Sequence, residues 1–385
     1  MFFVFIMCLG ALVHTYFIYP MLISILHGIK GSHKKDKSID KPNVSILMAV
    51  YNEQDVIRQK INSILNSSFP PNNIELLIGS DGSTDNTDEY VKEVAKIHPQ
   101  IKLYSFEGRN GKPKIIDSLK DRAKNDIIIV TDANVLFDIN TIGKLTRHFS
   151  NAEIGLVDSR MTNTGIKKEG ISIQEKNYIN LEGQLKYYEG ALWGCLMGPF
   201  GGCYAIRKDL MPKVPTNFTV DDFFICMSVI DQGYKTIGEP EAIVYEDVSN
   251  ILKEEFRRKT RIATGNFQNL FYFKHLIVHF NKAYSYCFFS HKVLRWLGPV
   301  FLIGSFISNI LLIEEHSIFF YTILGQVLFY FLALFDLFLK KFEIHSVALR
   351  YITHFVAMNV ALLVGMFLFI KGVKSNVWEP TKRFQ

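Results

Sequence analysis

Four short polar groups stand out in this chain of 385 residues. Tyr51-Asn52-Glu53, Asp81-Gly82-Ser83-Thr84-Asp85 and Asp132-Ala133-Asn134 each follow a short apolar run, and Asp221-Asp222 opens a helical stretch. Taken singly, each has a plain reading, because Asp and Ser after a strand make turns or cap the next helix. Taken together they gather acidic groups in one place, and a division of labour follows. An aromatic ring with nearby acceptors (Tyr51, Glu53 and Asp81) suits a nucleotide base. A diphosphate needs a divalent cation, and Mg²⁺ or Mn²⁺ takes a few carboxylates plus phosphate oxygens. Asp132 is the natural metal ligand and Asn134 its weaker, neutral helper. A sugar hydroxyl attacking an anomeric carbon needs a positioned carboxylate to take its proton, the part assigned to Asp222. The leaving diphosphate needs positive charge, which Lys112, Arg258 and Arg261 carry alongside the metal.

An α/β framework must hold these groups. Val44–Val50 is a short apolar run suited to a buried strand, followed by a helical pattern from Val56 to Leu65. Further strands are expected over Ile74–Ser80, Ile101–Phe106 and Asp126–Thr131, with helices over Asp85–Lys96 and Pro113–Ala123. Strands alternating with helices predict a Rossmann-like, mostly parallel sheet covered on both faces. Ligands bind such sheets at the carboxyl ends of the strands, where the polar groups lie.

The flanks are different. The chain is 48% hydrophobic with 32 Phe, and the apolar residues crowd the first 26 positions and the last hundred or so. Phe2 to Leu26 is long enough to cross ~30 Å of hydrocarbon. It has no basic leader or clear cleavage site, so it reads as an anchor. Lys30, Lys34, Lys35, Lys37 and Lys41 follow it, and Arg257, Arg258, Lys259 and Arg261 precede the second apolar region. Basic clusters beside hydrophobic spans face the cytoplasm and anionic lipid, so the net charge of +6 points to membrane lipids and not to nucleic acid. The resulting plan is a transmembrane helix at 1–27, a cytoplasmic domain at 28–268, an interfacial amphipathic helix at 269–292, three transmembrane helices within 293–371, and a polar tail at 372–385. Three later crossings leave the basic tail (Lys371, Lys374, Lys382, Arg383) outside, against the charge rule, so one span is expected to be re-entrant or interfacial. The five cysteines show no CxxC pair and no metal spacing, which predicts free thiols. The scattered histidines suggest no zinc site.

Ordered along the chain, the polar groups join Asn110-Gly111-Lys112-Pro113, Gly201-Gly202-Cys203-Tyr204-Ala205-Ile206-Arg207, Val220-Asp221-Asp222-Phe223 and Arg258-Lys259-Thr260-Arg261-Ile262. This series resembles a family 2 glycosyltransferase with a GT-A fold, of the membrane-integrated group that includes cellulose, chitin, hyaluronan and poly-N-acetylglucosamine synthases. The resemblance covers about Val44 to Gln268. It implies donor binding by Tyr51, Glu53, Asp81, Lys112 and Asp132, a metal at Asp132 with Asn134, and base catalysis by Asp222. It further implies acceptor contacts at Gly202, Cys203 and Asp221, and a gating segment with Arg258 and Arg261 over the pyrophosphate. Two positions depart from the family pattern. Asn134 stands where the metal motif usually ends in Asp, and Ile262 where processive synthases carry a tryptophan. Trp193, Tyr187 and Tyr188 offer either replacement stacking for an acceptor sugar or packing at the membrane interface.

The expected activity is an inverting transfer from a UDP-sugar to a growing polysaccharide or cell-surface glycan. It would take place at the inner or plasma membrane, in a multi-pass protein that works with an export partner or as an oligomer. A rival reading adds one sugar to polyprenyl phosphate or to a lipid-linked oligosaccharide. A rival of another class is a membrane transport or scaffold protein with a degenerate nucleotide-sensing domain, supported only by Asn134 and the lost tryptophan.

Overall fold

The computed structural model describes residues 1–30, 41–165, 171–247, 251–279 and 281–373. Lys34, Lys35 and Lys37, and the tail residues Lys374, Lys382 and Arg383, lie outside them. Two units make up the chain. One comprises Leu26–Gly165 and Leu181–Asp247 (with Val373–Gln385), the other Met1–Ile25, Ile166–Asn180 and Val248–Gly372.

Among the described residues the first unit is built on eight strands: β1 (Val44–Val50), β2 (Ile74–Asp81), β3 (Ile101–Phe106), β4 (Ile127–Thr131), β5 (Leu136–Phe137), β6 (Ile154–Thr164), β7 (Cys203–Arg207) and β8 (Lys235–Asp247). They form one sheet in the order β3-β2-β1-β4-β7-β6-β8-β5. The half foreseen from the sequence is parallel: β1 pairs with β2 and β4, and β2 with β3. Every residue of β1 and β2 is buried, as a sheet covered on both faces requires. The helix Lys112–Arg122 packs so closely on β2 that a Cβ on Gly79 would stand 2.3 Å from Ile115 Cγ2. The other half is mixed. β7 runs antiparallel to both β4 and β6, β6 is parallel to β8, and the two-residue β5 is antiparallel to β8. This half brings β7 and the end of β8 next to the residues that follow β4.

The second unit carries the apolar helices. Among the described residues three are long and apolar enough to cross a membrane, namely Phe2–Lys30 (which begins in this unit), Ser317–Lys340 and Val347–Lys371. The expected span from Val293 to Ile313 is instead a pair, Ala283–Trp296 and Gly298–Leu311, bent by 61°. Gly298-Pro299 explains the break. Proline has no N–H to continue the ladder, and its ring crowds the preceding turn. Nor do residues 269–292 form one interfacial helix. The helix Leu252–Tyr272 ends at Phe273, and a 3₁₀ turn, a five-residue helix and a π-turn follow. That helix belongs to this unit and not to the unit with the sheet, packing Phe267 and Phe271 against Phe369 with ring centroids 6.4 and 6.3 Å apart. Polar side chains hold the helices together, as they do where no water competes. Asn309 meets Gln326 and Thr322 at 3.0 Å, and Arg350 donates to Asp336 at 2.9 Å, with Thr353 completing the group at 2.7 Å.

Candidate active site

The turns after β1 and β2 are laced together. Asn52, in the left-handed region with φ 52°, accepts the Thr84 N–H at 2.8 Å and donates its own N–H to Ser83 Oγ at 3.2 Å. Short Asn side chains tolerate that backbone conformation better than most. The Glu53 N–H bonds Thr87 Oγ1 at 2.9 Å, and the Gln54 N–H bonds Asp85 at 3.1 Å. Ser83, Thr84 and Asp85 therefore build the scaffold, and Tyr51 and Asp81 are the residues it presents.

Asp81 is buried, and its carboxylate accepts the N–H groups of Asn110 at 2.6 Å and Gly111 at 3.0 Å. These bonds fix the loop that leads into Lys112, the first residue of the helix Lys112–Arg122. The preceding Arg109, unremarked in the sequence, lies 3.3 Å above the Tyr51 ring and 3.4 Å from Asp81. From the loop, Lys112 Nζ reaches Asp132 Oδ1 at 2.7 Å and Asp221 Oδ2 at 4.0 Å. Burial alone would weaken the ammonium ion, but Asp132, Asp221 and Asp222 together outweigh it and raise the lysine above its ordinary range. One cation thus ties the end of β4 to the start of the helix Asp221–Asp231. Asp132 and Asp222 act on the same lysine, and Asp81 fixes the loop that leads into it.

Asp222 sits over Gly201. A Cβ on that glycine, whose φ is +84°, would stand 2.2 Å from Asp222 Oδ2. Burial and the neighbouring Asp221 push the Asp222 carboxyl up to about 6, while Lys112 pulls it down. A second buried acid, Asp158 on β6, accepts the Phe200 N–H at 3.2 Å and so holds the same loop. Burial pushes it up to about 7 against the pull of Lys186, and Asp222 adds to the rise. Neither Gly201 nor Asp158 was singled out from the sequence. The double glycine was the only visible signal for the first, and the second was hidden in an ordinary strand.

Cys203 and Gly202 depart from their expected parts. Cys203 is fully buried in the sheet, its thiol pushed up to about 12 by that burial, so it packs the core and offers no acceptor surface. Gly202 faces Met161 and Val135, and its carbonyl accepts the Asp132 N–H at 3.1 Å. Its contribution is to seat Asp132. Arg258 belongs to the second unit, where its guanidinium bonds Glu255 at 2.8 Å and the buried Glu175 at 3.0 Å. Arg261, one turn on, is exposed. Tyr188 stacks on His27 with ring centroids 4.1 Å apart, and Tyr187 lies 5.7 Å from the same ring. These tyrosines therefore pack on the end of the first apolar helix. All five cysteines are free thiols.

A divalent cation fits the donors present only as a shared ligand. Among the described residues no three His, Cys, Asp or Glu side chains cluster to hold a metal by themselves. Asp132, its side chain about one-third exposed at 35%, and the Asn134 amide supply hard oxygens at one edge of the cleft. Such a partial shell suits a cation completed by phosphate oxygens. Beneath this edge lies a buried lysine that the sequence did not reveal. Lys60 bonds Thr131 Oγ1 at 2.8 Å and the Val135 carbonyl, bracing the segment between them.

Known proteins resemble this chain in sequence and fold. The profile described as glycosyl transferase family 2 matches residues 45–213, and that of glycosyl transferase family group 2 matches residues 185–370. A protein named probable glycosyltransferase YdaM, from Bacillus subtilis (strain 168), is 25% identical over 382 residues, covering 89% of this chain and 87% of its own. A poly-beta-1,6-N-acetyl-D-glucosamine synthase of Staphylococcus epidermidis is 24% identical over 67% of this chain, which spans 61% of that protein. The solved mannosyltransferase PcManGT from Pyrobaculum calidifontis, in complex with GDP-Man and Mn²⁺, superposes with a TM-score of 0.71 at 17% identity, over 95% of this chain and 99% of that one. The likeness establishes a shared GT-A fold.

Proposed function

This chain belongs to glycosyl transferase family 2, and from that premise we propose that it moves a sugar from a nucleotide-sugar donor, a UDP-sugar, to a hydroxyl of a glycan or lipid-linked acceptor, inverting the anomeric carbon. Its apolar helices anchor it in the membrane with the catalytic unit on the cytoplasmic side, as the basic residues Lys30 and Lys41 beside the first helix support.

In this reading Tyr51 and Glu53 receive the nucleotide base. Asp81 holds the loop that aims Lys112. Asp132 and Asn134 bind Mg²⁺ or Mn²⁺, which when bound neutralises the diphosphate. Lys112 adds a fixed positive charge where negative charge grows on the leaving group, which costs no reorganisation during the reaction. Asp222 takes the proton of the attacking hydroxyl. A carboxyl pushed up to about 6 suits that task, being ionised near neutral pH yet more basic than an ordinary aspartate. Asp221 lines the acceptor side.

The observation that carries the proposal is the Lys112 bridge, 2.7 Å from Asp132 and 4.0 Å from Asp221, at the carboxyl edge of the parallel strands. It supports a reading in which Lys112 serves the leaving group beside the base Asp222. The test is to offer the purified protein a panel of nucleotide sugars and measure nucleoside diphosphate release, then weigh the product by mass spectrometry. Release with one donor and a product heavier by whole sugar residues supports the reading. A ladder of masses indicates polymer synthesis, and a single increment indicates the polyprenyl-phosphate reading. No release with any donor overturns both.

A further inference from the structure

Asn134 stands where a second acidic metal ligand is expected, yet a carboxylate is close by. The sheet puts it there. β5 and β8 pair antiparallel with Leu136 opposite Tyr245 and Phe137 opposite Val244, so the next residue of β8, Glu246, runs alongside the segment between Asp132 and β5. On its other side Glu246 pairs in register with Asn163 of β6, and both neighbours hold the end of the strand in place. Glu246 Oε1 accepts Asn134 Nδ2–H at 3.1 Å.

That bond has a direction. A carboxylate accepts only and the amide nitrogen donates only, so the contact decides which way the amide faces. With Nδ2 pinned to Glu246, the Asn134 Oδ1 is turned away from it and takes no hydrogen bond from any described residue. A neutral amide oxygen is a weak ligand, and it is useful to a cation only if it is held outward. An unpinned amide is free to present its NH₂ group, which repels a cation.

We propose that Glu246 is a positioning residue for the divalent-cation site: its carboxylate orients Asn134 so that the amide oxygen, and not the amide nitrogen, faces the metal beside Asp132. The proposal rests on the reading of Asp132 and Asn134 as cation ligands. It accounts for how a site lacking its second acid keeps a usable oxygen, through an outer residue fixing an inner one.

The test measures bound Mn²⁺ by electron paramagnetic resonance, on the full-length protein in detergent with excess UDP, and needs no turnover. Glu246→Ala should weaken Mn²⁺ binding ~10–100-fold, the usual cost of losing such an outer partner. Glu246→Gln keeps an oxygen that can accept the same Nδ2–H bond, so it should bind Mn²⁺ close to the wild-type level. Because Glu246 acts through Asn134, the double variant Glu246→Ala/Asn134→Ala should be no weaker than Asn134→Ala alone. Wild-type binding by Glu246→Ala overturns the proposal. So does a Gln variant as weak as the Ala variant, which would make the charge itself the ligand, or an additive double variant. If wild-type protein binds no Mn²⁺ with UDP, the parent reading of Asp132 and Asn134 falls instead, and the proposal falls with it.

Discussion

Gly201→Ala separates catalysis from binding more cleanly than any change to the acids themselves. The new methyl carbon would lie 2.2 Å from Asp222 Oδ2 and 3.0 Å from its carboxyl carbon. An ordinary contact needs about 1 Å more, and the carboxyl group is the softest thing that can give way, so the clash is relieved by displacing the base. A misplacement of that size in a reacting group costs ~100-fold in rate, or about 2.7 kcal/mol of transition-state stabilisation. The fold is taxed separately, because a non-glycine residue at φ +84° carries ~1–2 kcal/mol of backbone strain. For a unit of this size that lowers the melting temperature by roughly 2–8 °C. The assay is nucleoside diphosphate release at saturating donor and acceptor, with donor affinity measured by calorimetry and melting by circular dichroism. The expected result is kcat down ~100-fold, donor affinity within a few-fold of wild type, and a modest fall in melting temperature. Wild-type kcat in a correctly folded Gly201→Ala protein would refute the placement of the base over this glycine.

Further outcomes follow from the same cleft. With Asp222 as base and its carboxyl at about 6, kcat should fall as pH drops below about 6, approaching tenfold per unit; a flat profile from pH 7 to 5 would exclude it. Lys112→Met should cost ~10²–10³-fold in kcat. Since Lys112 pulls the Asp222 carboxyl down, the variant's acid limb should also move to higher pH, both read from one pH–rate profile. Asp158→Asn should leave that limb close to its wild-type position, because a carboxyl pushed up to about 7 is already largely protonated where Asp222 titrates. Because burial raises Asp158 to about 7, the folded state holds a proton between the ordinary carboxylate range and pH 7 that the unfolded chain has released. Wild-type stability should therefore fall as pH rises through that window, and melting curves of Asp158→Asn against pH should show a smaller fall, the remainder coming from the raised Asp222 carboxyl.

The parallel half of the sheet was legible because its strands are continuous apolar runs bounded by Gly, Asp and Asn, and their ends carry the motifs. The antiparallel half was not, since β6 and β8 mix polar and apolar residues without clear alternation and β5 is two residues long. That is why Asp158 and Glu246 went unremarked: their chemistry comes from pairing across the sheet and not from any local pattern. Lys60 was invisible for another reason, being a lysine on an amphipathic helix that points inward. Motif order located Asp132 and Asp222, but it could not tell an open acid from an enclosed one. Asp81 spends its carboxylate on two backbone amides, and Cys203 lies within the core. In the apolar region hydropathy found the helices Ser317–Lys340 and Val347–Lys371, yet it averaged across Gly298-Pro299 and missed the bend.

The most direct test of the central claim compares wild-type protein with Asp222→Asn at the same donor concentration, measuring donor binding by calorimetry and nucleoside diphosphate release with acceptor present. Binding within a few-fold of wild type with release reduced to background is the predicted result. Release by the asparagine variant at the wild-type rate would contradict it, because an amide cannot take the proton of the incoming hydroxyl.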